Sequence, residues 1–450
     1  MHQEDRGLLF YQDHLELPTV ERAQGIWMWD TAGRRYLDGC SGAVAVAIGH
    51  GDPRVLAALE RQARKVTFAY RTQFENRPAH QLATRLVTQL SQGLNRVFYT
   101  SGGSESVEAA LKLARQYHLA KGDVGRFKII SRFPSYHGST LGALSVTGYA
   151  PLNDPFTPLT LPHLYVQAPT GPGGRMLDPE SYVAACAAEL EGVVQQAGPD
   201  TVAAFILEPV GGASTGALVP PPGYLGAITE VCRRHGILII YDEVMTGIGR
   251  TGAFSAYQHW ENDEPVGAEV DILALSKGLG AGYIPLGAIV CRSEIADTVV
   301  AGGGFAHGHT YAGNPLACAV GNAVLEVVAE DGLVENARVR GAELVAGLKG
   351  IQSGNSIVGD VRGLGLLTAL EFVADPETME PFPAELDVHQ MMTGLAREQG
   401  LLVYPRRSRG GNVGDHILVA PPLSIDGPEL AELLDRLGTA VAALQRRLVA

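Results

Sequence analysis

Ile237-Leu-Ile-Ile-Tyr-Asp-Glu243 is apolar until it meets two acids, and Ile272-Leu-Ala-Leu-Ser-Lys277 is apolar until it meets a lysine. Short unbroken apolar runs of this kind predict strands buried on both faces, as in parallel sheets. Residues 202–207 form a third such run, and 128–131 a shorter one. Helical periodicity separates them at 106–120 and, after a Pro/Gly loop, at 225–235. This alternation, from about residue 80 to 320, predicts an α/β architecture: a parallel sheet covered by helices on both faces. Upstream, residues 25–38 alternate apolar and polar about a turn at 30–33, a β-hairpin pattern. Asp52 as N-cap and Pro53 at the first position open a helix to about residue 63. Downstream come a helix over 317–330, a strand pair around 361–371, a helix ahead of Gly400 and a terminal helix over 428–447. That part reads as α+β. No repeat or low-complexity linker marks a sharp boundary.

The two apolar runs that end in Asp242 and Lys277 are the most informative. If both strands end at one rim of the sheet, an amine and a carboxylate face the same space. A lysine there can form a Schiff base, and an aspartate can hold a pyridinium nitrogen protonated, which are two protein groups that pyridoxal 5'-phosphate (PLP) chemistry needs. Each pattern alone is equally well read as a strand that happens to end in a charge.

Composition narrows the field. The 450 residues are 46% hydrophobic and 18% charged, enough for a large core and for two or three domains. A net charge of −13 argues against nucleic acid or an anionic membrane as partner. No apolar run reaches membrane-spanning length, and the opening Met1-His-Gln-Glu-Asp-Arg6 lacks the pattern of a signal peptide, so a cytoplasmic protein is expected. Cys40, Cys186, Cys232, Cys291 and Cys318 are scattered and read as reduced, mostly buried thiols. The 55 glycines imply many tight turns.

Further chemistry lies in the loops. Val97-Phe-Tyr-Thr-Ser-Gly-Gly-Ser-Glu-Ser106 runs from strand to glycine turn to helix. Gly102 and Gly103 allow close approach of an anion, and Ser104 lies near the first turn, where free N–H groups favour phosphate. An ordinary turn capped by Ser104 satisfies the same pattern. No Gly-Lys-Ser/Thr closes the loop, which excludes a Walker-type nucleotide site. Ser131-Arg-Phe-Pro-Ser-Tyr-His-Gly138 offers Tyr136 and His137, an aromatic and an imidazole able to lie against a flat ring, or simply packed polar residues. Glu208 ends the 202–207 run. Phe305-Ala-His-Gly-His-Thr-Tyr-Ala-Gly-Asn-Pro315 is a polar loop in which Thr310 has a hydroxyl suited to phosphate. His307 and His309 have no accompanying ligand cluster, so no metal site is expected.

Asp242-Glu-Val-Met-Thr-Gly-Ile-Gly-Arg-Thr-Gly252, Ser276-Lys-Gly-Leu-Gly280 and His309-Thr-Tyr-Ala-Gly-Asn-Pro315 together resemble the signature blocks of class III aminotransferases, in order and spacing, over about residue 25 to the C-terminus. The resemblance implies a PLP-dependent transferase of fold type I. Its large domain (66–325) would carry a mostly parallel seven-stranded sheet, and its small α+β domain would be built from the N-terminal (1–65) and C-terminal (326–450) segments. It implies that Lys277 binds the cofactor as a Schiff base, Asp242 partners the ring nitrogen, Val244 packs under the ring and Tyr136, with His137 beside it, covers the other face. Gly102, Gly103 and Ser104 resemble the phosphate cup, with Thr310 supplied by the second subunit of a homodimer or dimer of dimers, and Glu208 orders the site. Glu243 and Arg250 are expected to form a structural ion pair. The implied reaction is ping-pong transfer of an amino group from an amine, ω-amino acid or amino acid to a keto acid, with decarboxylase, aminomutase or epimerase as the alternative on the same fold.

The chain departs from the family at the substrate. A gating glutamate used with oxoglutarate is replaced by Ala213, which points toward pyruvate as acceptor. The carboxylate-binding arginine expected after Gly400-Leu-Leu-Val is Tyr404, so Arg406, Arg407, Arg409 or Arg71 is left to take that role. The family's pocket tryptophan is absent, with Ala43 and Val44 in that stretch.

Overall fold

The computed structural model describes residues 17–170 and 179–449. The opening six residues, read above for a leader, lie outside them. The centre is a seven-stranded sheet: β1 (Leu94–Thr100), β2 (Lys128–Phe133), β3 (Leu164–Gln167), β4 (Val202–Leu207), β5 (Leu238–Asp242), β6 (Ile272–Leu275) and β7 (Gly287–Arg292), in the order β1-β7-β6-β5-β4-β2-β3. Neighbours from β6 across to β3 pair in parallel. β7 alone is antiparallel, to both β6 and β1. It follows β6 after a short loop with no crossover helix, and a chain that turns back so soon can only pair antiparallel. β4, β5 and β6 are buried at every position, which is why they read as continuous apolar runs rather than alternating ones.

Helix α1 (Gly103–Ala120) begins three residues before the expected start. Gly102 is its N-cap, and Glu105 folds back to accept the Ser101 N–H at 2.7 Å. Ser104 therefore does not cap; it sits inside the first turn. The remaining helices follow their signals closely: Pro53–Ala63 is capped by Asp52, and Gly427–Leu448 opens with an Asp426/Glu429 capping box.

The two ends of the chain meet in a second sheet. The hairpin strands Trp27–Asp30 and Arg35–Asp38 are extended by Leu401–Leu402, which pairs in parallel with Arg35–Asp38. A third, antiparallel sheet joins Val358–Leu364, Leu367–Asp375, Asp415–Val419 and Tyr404–Arg407, in that order, with Glu380–Pro381 on Leu367–Asp375. All five cysteines are buried free thiols. Among the described residues no helix is long and apolar enough to cross a membrane, and no cluster of three or more His, Cys, Asp or Glu is placed to hold a metal.

Candidate active site

Strands that run the same way end at the same edge, and the crevice beyond those ends is where α/β sheets bind ligands. Five loops converge there. The loop after β1 contributes Gly103 and Ser104. That after β2 gives Tyr136, His137 and Gly138, and that after β4 gives Glu208, Val210 and Ala213. Asp242, Val244, Met245 and Thr246 come from the end of β5, and Lys277 from the end of β6. Together they line a cavity of about 170 Å³. The register makes the meeting of lysine and aspartate inevitable: β5 and β6 are adjacent and parallel, with Asp242 opposite Ala274.

Lys277 is partly buried, and its backbone lies in the left-handed region at φ +38°, a conformation strained for a side chain other than glycine. The turn around it is firmly held: the Ser276 hydroxyl donates to the Leu286 carbonyl at 2.8 Å, and the Ser106 hydroxyl donates to the carbonyl of Leu275 at 3.0 Å, tying α1 to the end of β6. Burial pushes the Lys277 amine down to about 8; Asp242 and Glu208 pull it up, and the charges of Arg250 and Arg406 push it down. An amine so tuned has a sizeable neutral fraction near neutral pH and can serve as nucleophile and base.

Both oxygens of the buried Asp242 are fixed. Oδ2 accepts from His137 Nδ1 at 2.9 Å and Oδ1 from the Val244 N–H at 3.1 Å. Because a carboxylate only accepts, the proton sits on Nδ1 of His137. The opposite ring nitrogen, Nε2, is buried without a partner among the described residues. Glu208 ties two loops together: Oε1 accepts the Gly212 N–H at 2.9 Å, Oε2 the Tyr136 N–H at 3.4 Å, and burial raises its pKa. The Ser104 hydroxyl accepts the Ser139 N–H at 3.0 Å. Gly138, at φ +140°, leaves no room for more: an added Cβ would lie 2.6 Å from Ser104 Oγ. At Gly103 it would lie 2.8 Å from Val244 Cγ1.

Nine of the residues singled out from the sequence thus share one cavity: Gly103, Ser104, Tyr136, His137, Glu208, Ala213, Asp242, Val244 and Lys277. Gly102 stands just outside as the N-cap of α1. Val44 is buried in an apolar cluster with Val210 and Ala213, against which Met245 and Tyr404 pack. Arg406 lies on Tyr404. Thr310 is exposed and Arg71 reaches the His307 carbonyl at 3.0 Å; neither lines the cavity.

The expected Glu243–Arg250 ion pair is not formed. Glu243 accepts the N–H groups of Ala256 and Tyr257 at 2.6 and 2.9 Å, the free donors that open a short helix, while burial raises its pKa to about 7. Arg250 instead donates to the carbonyls of Leu366 and Pro421. Sequence reasoning missed Gly138, Val210, Met245 and Thr246 as lining residues. The available signal was adjacency, since each lies within two residues of one it had named.

The model of the family described as aminotransferase class-III matches residues 11–441. An uncharacterized aminotransferase, YodT, of Bacillus subtilis is 40% identical, the alignment covering 96% of this chain and 96% of that protein. Among solved structures, an (S)-enantioselective omega-transaminase from Thermomicrobium roseum superimposes with a TM-score of 0.88 at 38% identity, covering 95% of this chain and 93% of that one. An amine transaminase from an uncultivated Pseudomonas species, in its PLP-bound form, gives 0.87 at 35% identity with 95% of both chains covered.

Proposed function

This chain belongs to the class III aminotransferases, PLP-dependent enzymes of fold type I, and from that premise we propose that it moves an amino group from an amine, ω-amino acid or amino acid to a keto acid, pyruvate above all, in two half-reactions. The observation that carries the reading is the placing of the Lys277 amine and the Asp242 carboxylate on adjacent parallel strands, at one cavity.

The residues present fit the cofactor. The N-terminus of an 18-residue helix, with Gly102, Gly103 and Ser104, suits its phosphate, and both glycines keep the backbone bare there. Tyr136 and Val244 would take the two faces of its ring, and Asp242 the ring nitrogen. His137 supports Asp242, and Glu208 holds Tyr136 and the 209–213 loop in place. Lys277 would carry the cofactor through Nζ. Thr310, exposed in this chain, would complete the phosphate site of the other subunit in a homodimer. When bound, the cofactor supplies a ring that accepts the electron pair left as the substrate carbon loses its proton.

The protein's own part is acid–base work and positioning. Nζ of Lys277, neutral in a usable fraction at pH near 8, takes the proton from the carbon that bears the amine. Asp242, fixed by His137 and by the Val244 N–H, would favour a proton on the ring nitrogen it partners. The apolar wall of Val210, Ala213 and Met245, backed by the buried Val44, offers no charge for a second carboxylate. A monocarboxylic keto acid such as pyruvate therefore suits the site better than a dicarboxylic one.

The test is product analysis. Incubation with pyruvate and a panel of amines and ω-amino acids should yield alanine and the matching carbonyl compound in equal amounts, with Lys277→Ala giving none. Carbon dioxide or an isomerised donor without alanine would replace this reading with a decarboxylase, aminomutase or epimerase.

A further inference from the structure

The loop that leaves β4 is a wall between two cavities. Val210 and Ala213 line the Lys277 cavity, while Thr215 and Leu218 line a second one of about 330 Å³. The third, antiparallel sheet supplies Asp360, Arg362 and Glu371 to that second cavity. The loop is closed on itself. The Gly211 N–H donates to the Leu218 carbonyl at 2.8 Å, the Ala217 N–H to the Gly212 carbonyl at 3.1 Å, and the Gly212 N–H to Glu208. Those bonds give the loop its shape but not its distance from Lys277.

Arg362, on strand Val358–Leu364, reaches across to it. Nη2 donates to the Thr215 carbonyl at 3.1 Å, while Nη1 donates to Asp360 Oδ2 and Glu371 Oε2, each at 2.7 Å. Two carboxylates hold the guanidinium in place, so the carbonyl it grips is held with it. Gly216 stands against the same group at φ +64°. A Cβ added there would lie 2.7 Å from Arg362 Nη2 and 3.1 Å from Cδ2 of the buried His416. The guanidinium therefore both tethers the loop and backs it, from the side away from Val210 and Ala213. Arg362 itself does not line the Lys277 cavity.

We propose that Arg362, by clamping the Thr215 carbonyl from the third sheet, sets the depth of the Lys277 cavity and so the bulk of the amine it admits. Arg362 is then a positioning residue that acts through Val210 and Ala213. A loop with a cavity behind it can shift without displacing packed side chains, so the clamp, and not the packing, decides where the wall stands. Released, the wall can retreat and make room for a bulkier amine. Pushed forward, it narrows the space beside Lys277. The assignment rests on the aminotransferase reading of that space.

Two variants should move the wall in opposite directions. Arg362→Lys keeps a positive charge beside Asp360 and Glu371 but gives up the planar fork that reaches acids and carbonyl together. Gly216→Ala adds a Cβ that presses the loop off Arg362 and His416, toward Lys277. The readout is kcat/KM for 1-(2-naphthyl)ethylamine divided by that for sec-butylamine, both with pyruvate as acceptor. Relative to wild type, Arg362→Lys should raise this ratio about 10-fold and Gly216→Ala should lower it by about as much, the weight of one methylene of fit in an apolar pocket. An unchanged ratio, or ratios that move the same way, overturns the proposal, because a merely structural lesion has no reason to sort amines by size in opposite senses. Should either variant fail to fold, hydrogen exchange in the cofactor-loaded wild type decides. The Gly211 and Ala217 amides should exchange within about tenfold of those of β4, and exchange at the rate of an exposed loop would show that nothing holds the wall. Absence of amino transfer in the wild type would instead sink the aminotransferase reading, and the exchange rates would still decide the clamp.

Discussion

The Lys277 amine should titrate far below an ordinary lysine in the cofactor-stripped protein. Burial brings it from 10.5 to about 8. At pH 7.5 about a quarter of such amines are neutral, against about one in a thousand at 10.5, a gain of roughly 250-fold in reactive base. The same shift means that keeping the ammonium form in the fold costs about 3 kcal/mol. The sign follows from linkage. The unfolded chain holds this proton up to about 10.5 and the folded chain only to about 8, so the group's contribution to stability is whole above 10.5 and lost as pH falls through 8. Between those limits, this group makes the stripped protein more stable as pH rises. Competitive acetylation, read peptide by peptide in a mass spectrometer, gives the midpoint at Lys277 directly. Asp242→Asn should move it lower, since that carboxylate pulls the amine up, and Arg406→Gln should move it higher. A midpoint near 10, or one indifferent to both substitutions, would refute the picture of a desolvated amine between these charges.

Asp242→Asn should retain cofactor yet slow turnover by about 10²-fold or more, the usual weight of a lost acid–base partner, in steady-state assays. Gly138→Ala forces a Cβ to within 2.6 Å of Ser104 Oγ and 2.8 Å of the Ala143 Cβ at a positive φ. A strain of roughly 1–3 kcal/mol should appear as tenfold or weaker cofactor retention on titration of the stripped protein. Hybrids formed from Lys277→Ala and Thr310→Ala chains should contain one site with neither lesion. Activity well above that of either parent would follow if Thr310 serves the neighbouring subunit, and none if it serves its own.

Much of this was readable because the strands are short, apolar and end in chemistry. Runs buried on both faces lose their polar residues except at the rim, so Glu208, Asp242 and Lys277 announced themselves. The capping box at Asp426 and the Asp52–Pro53 start were equally local signals. What the sequence could not show is how side chains divide their partners in three dimensions. Glu243 and Arg250 look like a pair because they are seven residues apart with opposite charge, yet free N–H groups and carbonyls from distant segments satisfy each one separately. The early start of α1 turned on Glu105 reaching back to Ser101, which apolar periodicity does not record. The same holds for the arginines after Gly400, which are alike in sequence and told apart only by Asp415, Asp387, Glu371 and Tyr404.

The most direct measurement is the visible absorption spectrum of the purified protein, titrated with amines and ω-amino acids in the absence of any acceptor. The account predicts a yellow protein whose lysine-bound cofactor band disappears as a shorter-wavelength pyridoxamine band grows, and returns when pyruvate is added. A protein that stays colourless after PLP is supplied would contradict it outright. A band that persists, or changes without accumulating pyridoxamine, would leave the cofactor in place and remove the amino transfer.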